Sequence, residues 1–440
     1  MSSLRIDGGS VLTLNDRWDI VDGPVVVRNG RIVEVGRTDG EPVDRVIDGS
    51  GAIVLPGFIQ THVHLCQTLF RGLADDLPLL DWLRRRVWPL ESAHTPRTLR
   101  ASARLAAAEL LATGTTTVLT METVHDTDAV CEAIAGTGLR AVIGKCMMDA
   151  DTEAPPRLHE STRRAIDESL ALRRRWHGAA GGRLRTAFAP RFALSCSRDL
   201  LEEVAARSAH DGSIIHTHAS EQQAEIDLVH HLSGMRNIEY FERVGLTSER
   251  LCVAHCIWLD EHEQCILAER DVRVLHCPSS NLKLGSGIAP VSELQGRGVS
   301  VSLGADGAAC NNRLDMFDEM RLAAMLQAVR RGPGTLPARD VVAMATREGA
   351  RALGLLNEVG SIEPGKRADL IVVDLTRPHV APAPDPYSAI VYAARGTDVR
   401  MSMVDGEILV DDFRLAHLDP AGIASEAAAA ARDLKLRAGL

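Results

Sequence analysis

The segment GFIQTHVHLCQTLFRG, residues 57–72, places two histidines in a run that otherwise has the apolar pattern of a strand. Successive side chains of a strand point to opposite faces, so His62 and His64 share one face. Paired imidazole nitrogens on one face suit zinc or iron. The spacing therefore predicts part of a metal site, to which other strands must contribute.

Two later segments supply candidate ligands of the same kind. His218 lies in GSIIHTHASE and Asp306 in VSVSLGADG, each near the end of an apolar run. With His62 and His64 they predict a three-histidine, one-carboxylate site that leaves a position open for water. A divalent metal lowers the pKa of its bound water from 15.7 towards about 7, which makes hydrolysis the expected chemistry. His216 shares the face of His218, and spacing alone does not choose between them.

The elements that must position these residues lie between residues 57 and 357, where short apolar runs alternate with helical stretches. This alternation is typical of a parallel sheet with crossover helices. The candidate strands are GFIQTHVHL, GTTTVLTME, LRAVIGKCMMD, LRTAFAPRFAL, GSIIHTHASE, LCVAHC, VRVLHCP and VSVSLGADG. Eight such units predict a (β/α)8 barrel of the TIM type, in which catalytic groups gather at the carboxyl ends of the strands.

Both ends of the chain have a different pattern, in which short β runs are separated by turn signals. Gly23-Pro24 and Asn29-Gly30 mark turns near the start, and Pro364-Gly365 and Asp405-Gly406 mark turns near the end. We therefore expect an α/β protein with two domains. Residues 1–56 and 358–440 are predicted to form a small composite β-sandwich domain, and residues 57–357 the barrel.

Composition excludes several classes of function. The 49 basic and 59 acidic side chains give a net charge of −10, which argues against a nucleic-acid surface. No apolar run approaches the roughly 18 to 20 residues of a membrane span. The opening MSSLRIDGGS has no apolar signal core, so we expect a cytoplasmic protein. The nine cysteines form no CxxC pair, which favours reduced thiols.

Five segments, in chain order, resemble the amidohydrolase superfamily: PGFIQTHVHL, HTHASE, AHC, HCPSSNLKLGSGIAP and LGADGAACNNRLDMFDEMR. The resemblance covers nearly the whole chain and is to the branch of metal-dependent amino- and chlorohydrolases that act on purines and triazines. Within it, RGLADDLPLLDWL and GAACNNRLDMFDEMR look most like deaminases of S-adenosylhomocysteine, methylthioadenosine and 5′-deoxyadenosine.

The resemblance implies a role for each matching residue of the centre. Its fifth-strand ligand precedes a glutamate by three residues, which selects His218 over His216 and makes Glu221 the proton shuttle. His255 of AHC would help to orient and deprotonate the water or would stabilise the developing oxyanion, and Asp306 would act as a base as well as a ligand. The branch has no bridging carboxylated lysine, so we expect one divalent metal, zinc first and ferrous iron second.

The resemblance also implies contacts to the substrate. Trp82 would lie beside the 5′ substituent and Arg157 would meet a substrate carboxylate. Arg191 departs from the histidine usual in the adenosine group and is similar to the arginine of guanine deaminases. Cys310 occupies a position where a serine is usual. His276 would act mainly through other residues of the site and less by direct contact with the substrate.

The expected activity is hydrolytic deamination of the purine ring of an adenosine derivative to the inosine analogue and ammonia. The derivative would be 5′-deoxyadenosine, 5′-methylthioadenosine, S-adenosylhomocysteine or adenosine. The alternatives are a guanine or 8-oxoguanine deaminase, an s-triazine amino- or chlorohydrolase and, more remotely, an inactive binding protein on the same fold. The expected partner is this small molecule, with neither nucleic acid nor membrane, and a homo-oligomer is compatible with the fold.

Overall fold

Each of the eight predicted barrel strands is confirmed, and each falls within its predicted segment. The computed structural model describes residues 3–150 and 152–440. The barrel strands are β1 (Phe58–His64), β2 (Thr115–Met121), β3 (Arg140–Met147), β4 (Leu184–Pro190), β5 (Ile215–Ala219), β6 (Leu251–His255), β7 (Arg273–His276) and β8 (Val301–Leu303 with Asp306–Gly307).

The sheet closes on itself through the two pieces of β8. All its strand pairs are parallel, and neighbours in sequence are neighbours in the sheet. Val301–Leu303 pairs with β7, whereas Asp306–Gly307 pairs with β1, with Asp306 opposite Val63. A Cβ on Gly304, between the two pieces, would lie 2.6 Å from the carbonyl oxygen of His62, so only glycine fits this crossing. Closure therefore places Asp306 beside the two histidines of β1.

Helices surround the barrel and form parts of its mouth. The α-helices are Leu79–Trp82, Trp88–Ala93, Pro96–Ala112, Thr127–Ala135, Thr162–Trp176, Arg198–Asp211, Gln223–Ser233, Asn237–Arg243, Glu261–Glu269, Pro278–Lys283, Val291–Gly296, Met316–Arg331, Ala338–Met344, Arg347–Ala352, Pro386–Ser388 and Pro420–Arg437. Short 3-10 and π segments are Leu65–Phe70, Leu83–Val87, Pro156–Leu158, Ala180–Gly182, Ala193–Ser195, Ala389–Ala393 and Gly396–Asp398. Within the described ranges, no helix has both the length and the apolar character needed to cross a membrane.

The two ends of the chain build two further sheets. In sheet order, the four-stranded one contains Arg31–Val35, Val25–Arg28, Ser3–Asp7 and Arg45–Asp48. The seven-stranded one contains Arg414–Leu415, Glu407–Asp411, Val399–Val404, Leu370–Asp374, Ala52–Pro56, Ser10–Leu12 and Ile20–Asp22. Residues of both sheets, such as Ile6 and Val372, share one buried apolar cluster. The predicted composite sandwich is therefore present.

The last helix, Pro420–Arg437, lies on the barrel although it falls within the range predicted for the sandwich. Its buried Ala427 and Leu434 belong to the same apolar cluster as Phe70, which follows β1. Arg104 of a barrel helix also pairs with Glu426 at 2.7 Å. In terms of sequence, we propose residues 1–56 and 358–440 as the composite domain and residues 57–357 as the barrel, although the last helix of the first range packs on the barrel. Residues 1 and 2 lie outside the described ranges.

A buried ion cluster joins the barrel to the sandwich. Arg140, on β3, donates to both carboxylate oxygens of Asp369, at 2.7 and 3.0 Å, and to Asp405 at 2.8 Å. The side chains of Arg140 and Asp369 are each only 2% exposed. Removing one partner of a buried pair strands an uncompensated charge, so this contact should be costly to break.

We therefore predict that Arg140→Ala lowers the free energy of unfolding by about 3–5 kcal/mol. Denaturant titration measures the change. Arg164→Ala is the matched control, because Arg164 pairs with Glu168 on an exposed helix face, where a pair contributes about 0.5 kcal/mol or less. Equal losses in the two variants would contradict the assigned role of the buried cluster.

Candidate active site

Side chains from four strands meet at the carboxyl end of the barrel. His62 and His64 come from β1, His218 from β5, His255 from β6 and Asp306 from β8. The ligand atoms of His62, His64 and His218 lie within 4.8 Å of one another, and so do those of His62, His255 and Asp306. The structure thus brings together every residue that the sequence predicts for the centre.

Asp306 and the imidazole Nε2 atoms face a common point. Asp306 Oδ1 lies 3.2 Å from His62 Nε2 and 3.2 Å from His64 Nε2. His218 Nε2 lies 3.4 Å from His64 Nε2. His62 Nε2 is buried and has no hydrogen-bond partner among the described residues. Donor atoms this close to their neighbours, one of them unsatisfied, are the arrangement that a metal ion would complete.

The opposite nitrogen of each imidazole is held by the barrel. His64 Nδ1 lies 2.7 Å from the carbonyl oxygen of Met121, and His218 Nδ1 lies 2.7 Å from that of Arg191. A carbonyl only accepts, so both Nδ1 atoms carry the proton and both Nε2 atoms keep a lone pair. His62 Nδ1 lies 2.7 Å from His216 Nε2. His216 therefore holds the ring of His62, which explains its place on the same face as His218.

Burial favours the neutral form of His62 and His218, which metal binding requires. It lowers the pKa of His62 to about 4 and lowers the pKa of His218 well below the ordinary value. Nitrogen ligands with one carboxylate suit a divalent ion of the zinc or iron type. The residues present therefore fit such an ion.

Glu221 and His255 stand beside this donor set. Glu221 Oε2 lies 3.4 Å from His255 Nε2, and Glu221 Oε1 is buried without a hydrogen-bond partner among the described residues. Burial raises the pKa of Glu221 to about 7, and the nearby carboxylates of Asp306 and Glu225 act in the same direction. A carboxyl group of this kind can carry a proton at neutral pH and donate it.

A pocket opens onto the donor set. The lining residues that belong to the predicted centre are His64, His218, Glu221, His255 and Asp306. The other lining residues are Gln67, Leu79, Trp82, Leu83, Arg191, Phe192 and Glu225. Trp82 and Arg191, both predicted substrate contacts, are thus placed at the pocket. Leu79, Leu83 and Phe192 carry no sequence signal beyond their apolar character, and together with Trp82 they form an apolar wall.

Arg191 is held in an ion pair that the sequence did not reveal. Its guanidinium donates to the two carboxylate oxygens of Glu91 at 2.6 and 3.3 Å, and Gln67 donates to the same carboxylate at 2.9 Å. All three side chains are buried. Gln67 lies three residues after His64, on the segment already singled out, but Glu91 lies in a helix without any motif. Only the folded chain brings them together.

Three predicted substrate contacts do not line the pocket. Arg157 donates to the carbonyl oxygens of Ser92 and His94, at 2.9 and 2.7 Å, and pairs with Asp126 at 3.1 Å. These bonds occupy its guanidinium at the wall of a different cavity. His276 is buried, and neither of its ring nitrogens has a partner among the described residues. The Cys310 thiol is directed to the carbonyl oxygen of Gly307 at 3.2 Å.

The model of the amidohydrolase family matches residues 53–409, which include the whole barrel and all of these residues. The chain belongs to the amidohydrolase family. A 5′-deoxyadenosine deaminase of Methanothermobacter thermautotrophicus is 43% identical over 435 residues, covering 98% of this chain and 99% of the relative. A 5-methylthioadenosine/S-adenosylhomocysteine deaminase of Pelotomaculum thermopropionicum is 37% identical over 433 residues, covering 97% and 98%.

Solved structures extend this relationship to the fold of the whole chain. An adenosine deaminase from Xanthomonas campestris with bound zinc superimposes with a TM-score of 0.93 at 33% identity, covering 99% of each chain. An atrazine chlorohydrolase from Arthrobacter aurescens complexed with zinc gives 0.91 at 27% identity, covering 97% of this amidohydrolase and 100% of that chain. Both neighbours are thus comparable with this chain over almost its full length.

We predict that His218→Ala lowers the affinity for zinc at least tenfold, because even residues that only orient a ligand change metal affinity by about 10- to 100-fold. Metal content after equilibrium dialysis against buffered zinc measures the effect. His231→Ala is the control, since His231 is exposed on a helix. Zinc retention by His218→Ala equal to that of the control would remove His218 from the ligand set.

Proposed function

We propose that this amidohydrolase deaminates the purine ring of an adenosine derivative by hydrolysis, giving the inosine analogue and ammonia. The observation that carries the proposal is the position of Glu221, a buried carboxyl whose pKa is raised to about 7, beside the three histidines and Asp306. This places a proton donor next to a candidate hydrolytic centre. The names of its relatives, deaminases of 5′-deoxyadenosine and of methylthioadenosine, support the same reading.

We propose that His62, His64, His218 and Asp306 hold one divalent metal ion, zinc first and ferrous iron second. The lowered pKa values of His62 and His218 and the unsatisfied Nε2 of His62 support this assignment. When bound, such an ion activates water as a nucleophile near neutral pH. The bound zinc of the Xanthomonas campestris and Arthrobacter aurescens neighbours favours zinc over iron.

Glu221 would act first as an acid. Its proton goes to the ring nitrogen next to the amino-bearing carbon, which makes that carbon electrophilic enough for water to attack. Once oxygen has bonded to the carbon, the remaining hydroxyl proton returns to Glu221 as the carbonyl forms. The carboxyl group thus ends the cycle in the state in which it began.

His255 and Asp306 would handle the other proton of the water. His255 Nε2 lies 3.4 Å from Glu221 Oε2 and 3.9 Å from Asp306 Oδ2, so both bases face the same space. One of them accepts a proton as the water attacks, and this proton then passes to the amine as the carbon–nitrogen bond breaks. Ammonia leaves, and neither base keeps a net change in protonation.

The rest of the pocket favours an uncharged substituent on the substrate. Leu79, Trp82, Leu83 and Phe192 offer an apolar wall away from the histidines. Arg157, which would have met a substrate carboxylate, does not line the pocket and is bound to Ser92, His94 and Asp126 instead. Burying an unpaired charge against apolar groups is costly. We therefore propose 5′-deoxyadenosine and methylthioadenosine ahead of S-adenosylhomocysteine.

A guanine-type deaminase is the second candidate, and Arg191 is the observation that favours it. Its guanidinium lines the pocket and could donate to a base oxygen. However, Glu91 already accepts from it at 2.6 Å and balances its charge inside the protein. Because the guanidinium of Arg191 is already paired, it is less available to bind a substrate base. Triazine hydrolysis would use the same attack on an electron-poor ring carbon.

Cytoplasmic location and assembly into a homo-oligomer stay predictions from the sequence.

Glu221→Gln should lower kcat by about 10²- to 10⁴-fold, the usual contribution of a general acid or base. The amide keeps the size of the side chain but has no acidic proton to give. Steady-state kinetics with metal-loaded protein measures the loss, and metal content should stay at the parental level. Glu261→Gln on an exposed helix is the matched control. Near-parental turnover in the Glu221 variant would refute the acid role.

Ammonia release across a panel tests the substrate. With 5′-deoxyadenosine and methylthioadenosine, kcat/KM should reach about 10⁴ M⁻¹s⁻¹ or more, which is ordinary for an enzyme. S-adenosylhomocysteine should fall at least tenfold lower, equivalent to about 1.4 kcal/mol. Turnover of only guanine, 8-oxoguanine or melamine would overturn the adenosine reading. A folded protein that binds no metal and turns over nothing would support the inactive binding protein.

A further inference from the structure

One short helix of the barrel mouth, Pro278–Lys283, contacts two different groups of the site. Its adjacent residues Ser280 and Asn281 are buried. Ser280 Oγ donates to Asp306 Oδ2 at 2.7 Å, and Asn281 Oδ1 lies 2.9 Å from His255 Nδ1. Neither residue lines the pocket, so both act on the site only through the groups that they hold.

The backbone at His255 adopts a strained conformation. His255 has φ of +74° and Cys256 has φ of +49°, which is the left-handed region that residues with a Cβ rarely occupy. Strain of this kind persists where the surrounding contacts fix it, and it is concentrated at functional sites. The turn directs His255 Nε2 towards Glu221 Oε2, 3.4 Å away. The contact of Asn281 at the other ring nitrogen determines which edge of the imidazole faces the pocket.

The chemistry of the contact fixes the location of a proton. An amide oxygen only accepts a hydrogen bond, so Nδ1 of His255 must carry hydrogen. Whenever the ring is neutral, its lone pair is therefore on Nε2, the atom that faces Glu221 and Asp306. The Nδ2 atom of Asn281 is buried and has no partner among the described residues. Burying that unpaired amide group is unfavourable, so packing alone gives no reason for asparagine here.

We propose that Asn281 is a positioning residue that keeps a proton on Nδ1 of His255, so that Nε2 is the atom of the ring that takes up a proton from the attacking water. The transfer of a proton to Nε2 rests on the proposed deamination, whereas the assignment of the His255 tautomer does not. The proton taken by Nε2 goes on to the leaving amine, and His255 returns to its starting tautomer. An asparagine can hold the ring without placing a further negative charge beside Glu221.

Two substitutions at one position test the role with metal-loaded full-length protein. Asn281→Leu keeps a similar volume but removes the acceptor, so kcat for 5′-deoxyadenosine should fall at least about 100-fold, the low end of a general-base contribution. KM and zinc content should stay parental. Asn281→Asp restores an acceptor at the same place and should recover most of the lost kcat. Asn357→Leu, at an exposed position, is the control and should leave kcat unchanged.

The tautomer itself is measured by nitrogen-15 NMR of histidine-labelled protein, with the His255 signals assigned by their loss in His255→Gln. At a pH at which the His255 ring is neutral, we expect a protonated Nδ1 and an unprotonated Nε2 in the parent protein, and loss of this preference in Asn281→Leu. A parent with the proton on Nε2, parental kcat in Asn281→Leu, or no recovery in Asn281→Asp would overturn the proposal. If the parent deaminates nothing, the proposed function fails, while the NMR result still decides whether Asn281 sets the tautomer.

Discussion

The site depends on one constraint: in each buried histidine, Nδ1 is held by a neighbouring group so that Nε2 faces the centre. The Nδ1 atoms of His64 and His218 are fixed by carbonyl oxygens, and that of His62 by His216, each at 2.7 Å. The carbonyl contacts leave the Nε2 lone pairs of His64 and His218 free, and the contact with His216 directs Nε2 of His62 towards Asp306. If any of these partners shifted, the ring could turn and the donor set would be lost, even with all the ligand residues in place.

The partners come from the barrel itself. Met121 ends β2, Arg191 follows β4 and His216 lies on β5, so the register of neighbouring strands sets the orientation of the ligands. Closure of the sheet does the same for Asp306, which pairs opposite Val63 of β1. Asp306 and His255 both adopt positive φ, at +60° and +74°. The site thus combines rigid strands with local strain, and the buried contacts around it maintain that strain.

The sequence was sufficient to predict the features that depend on the periodicity of a strand and on the position of a residue along it. Histidines two apart on β1 had to share a face, and residues at the ends of parallel strands had to meet, so His62, His64, Asp306 and a histidine of β5 were predictable as a group. The choice of His218 over His216 came from the resemblance to the amidohydrolase superfamily. The sequence could not reveal contacts that depend on three-dimensional packing. No local sequence feature distinguishes Asn281 from any other helical asparagine. Arg157 donates to carbonyl oxygens of Ser92 and His94 instead of lining the pocket, and only the fold determines where those carbonyl groups lie. The position of the last helix was not predictable either: its alanine-rich pattern predicts a helix, but does not indicate that this helix packs on the barrel.

The most direct test of the account is anomalous diffraction at the zinc absorption edge from crystals of the zinc-loaded protein. We expect one strong peak about 2.0–2.2 Å from the Nε2 atoms of His62, His64 and His218 and from a carboxylate oxygen of Asp306. We also expect His255 Nε2 to remain outside bonding distance of the ion and next to Glu221. A peak bonded to His255 in place of His218, a second ion of equal strength, or no peak at this point would contradict it.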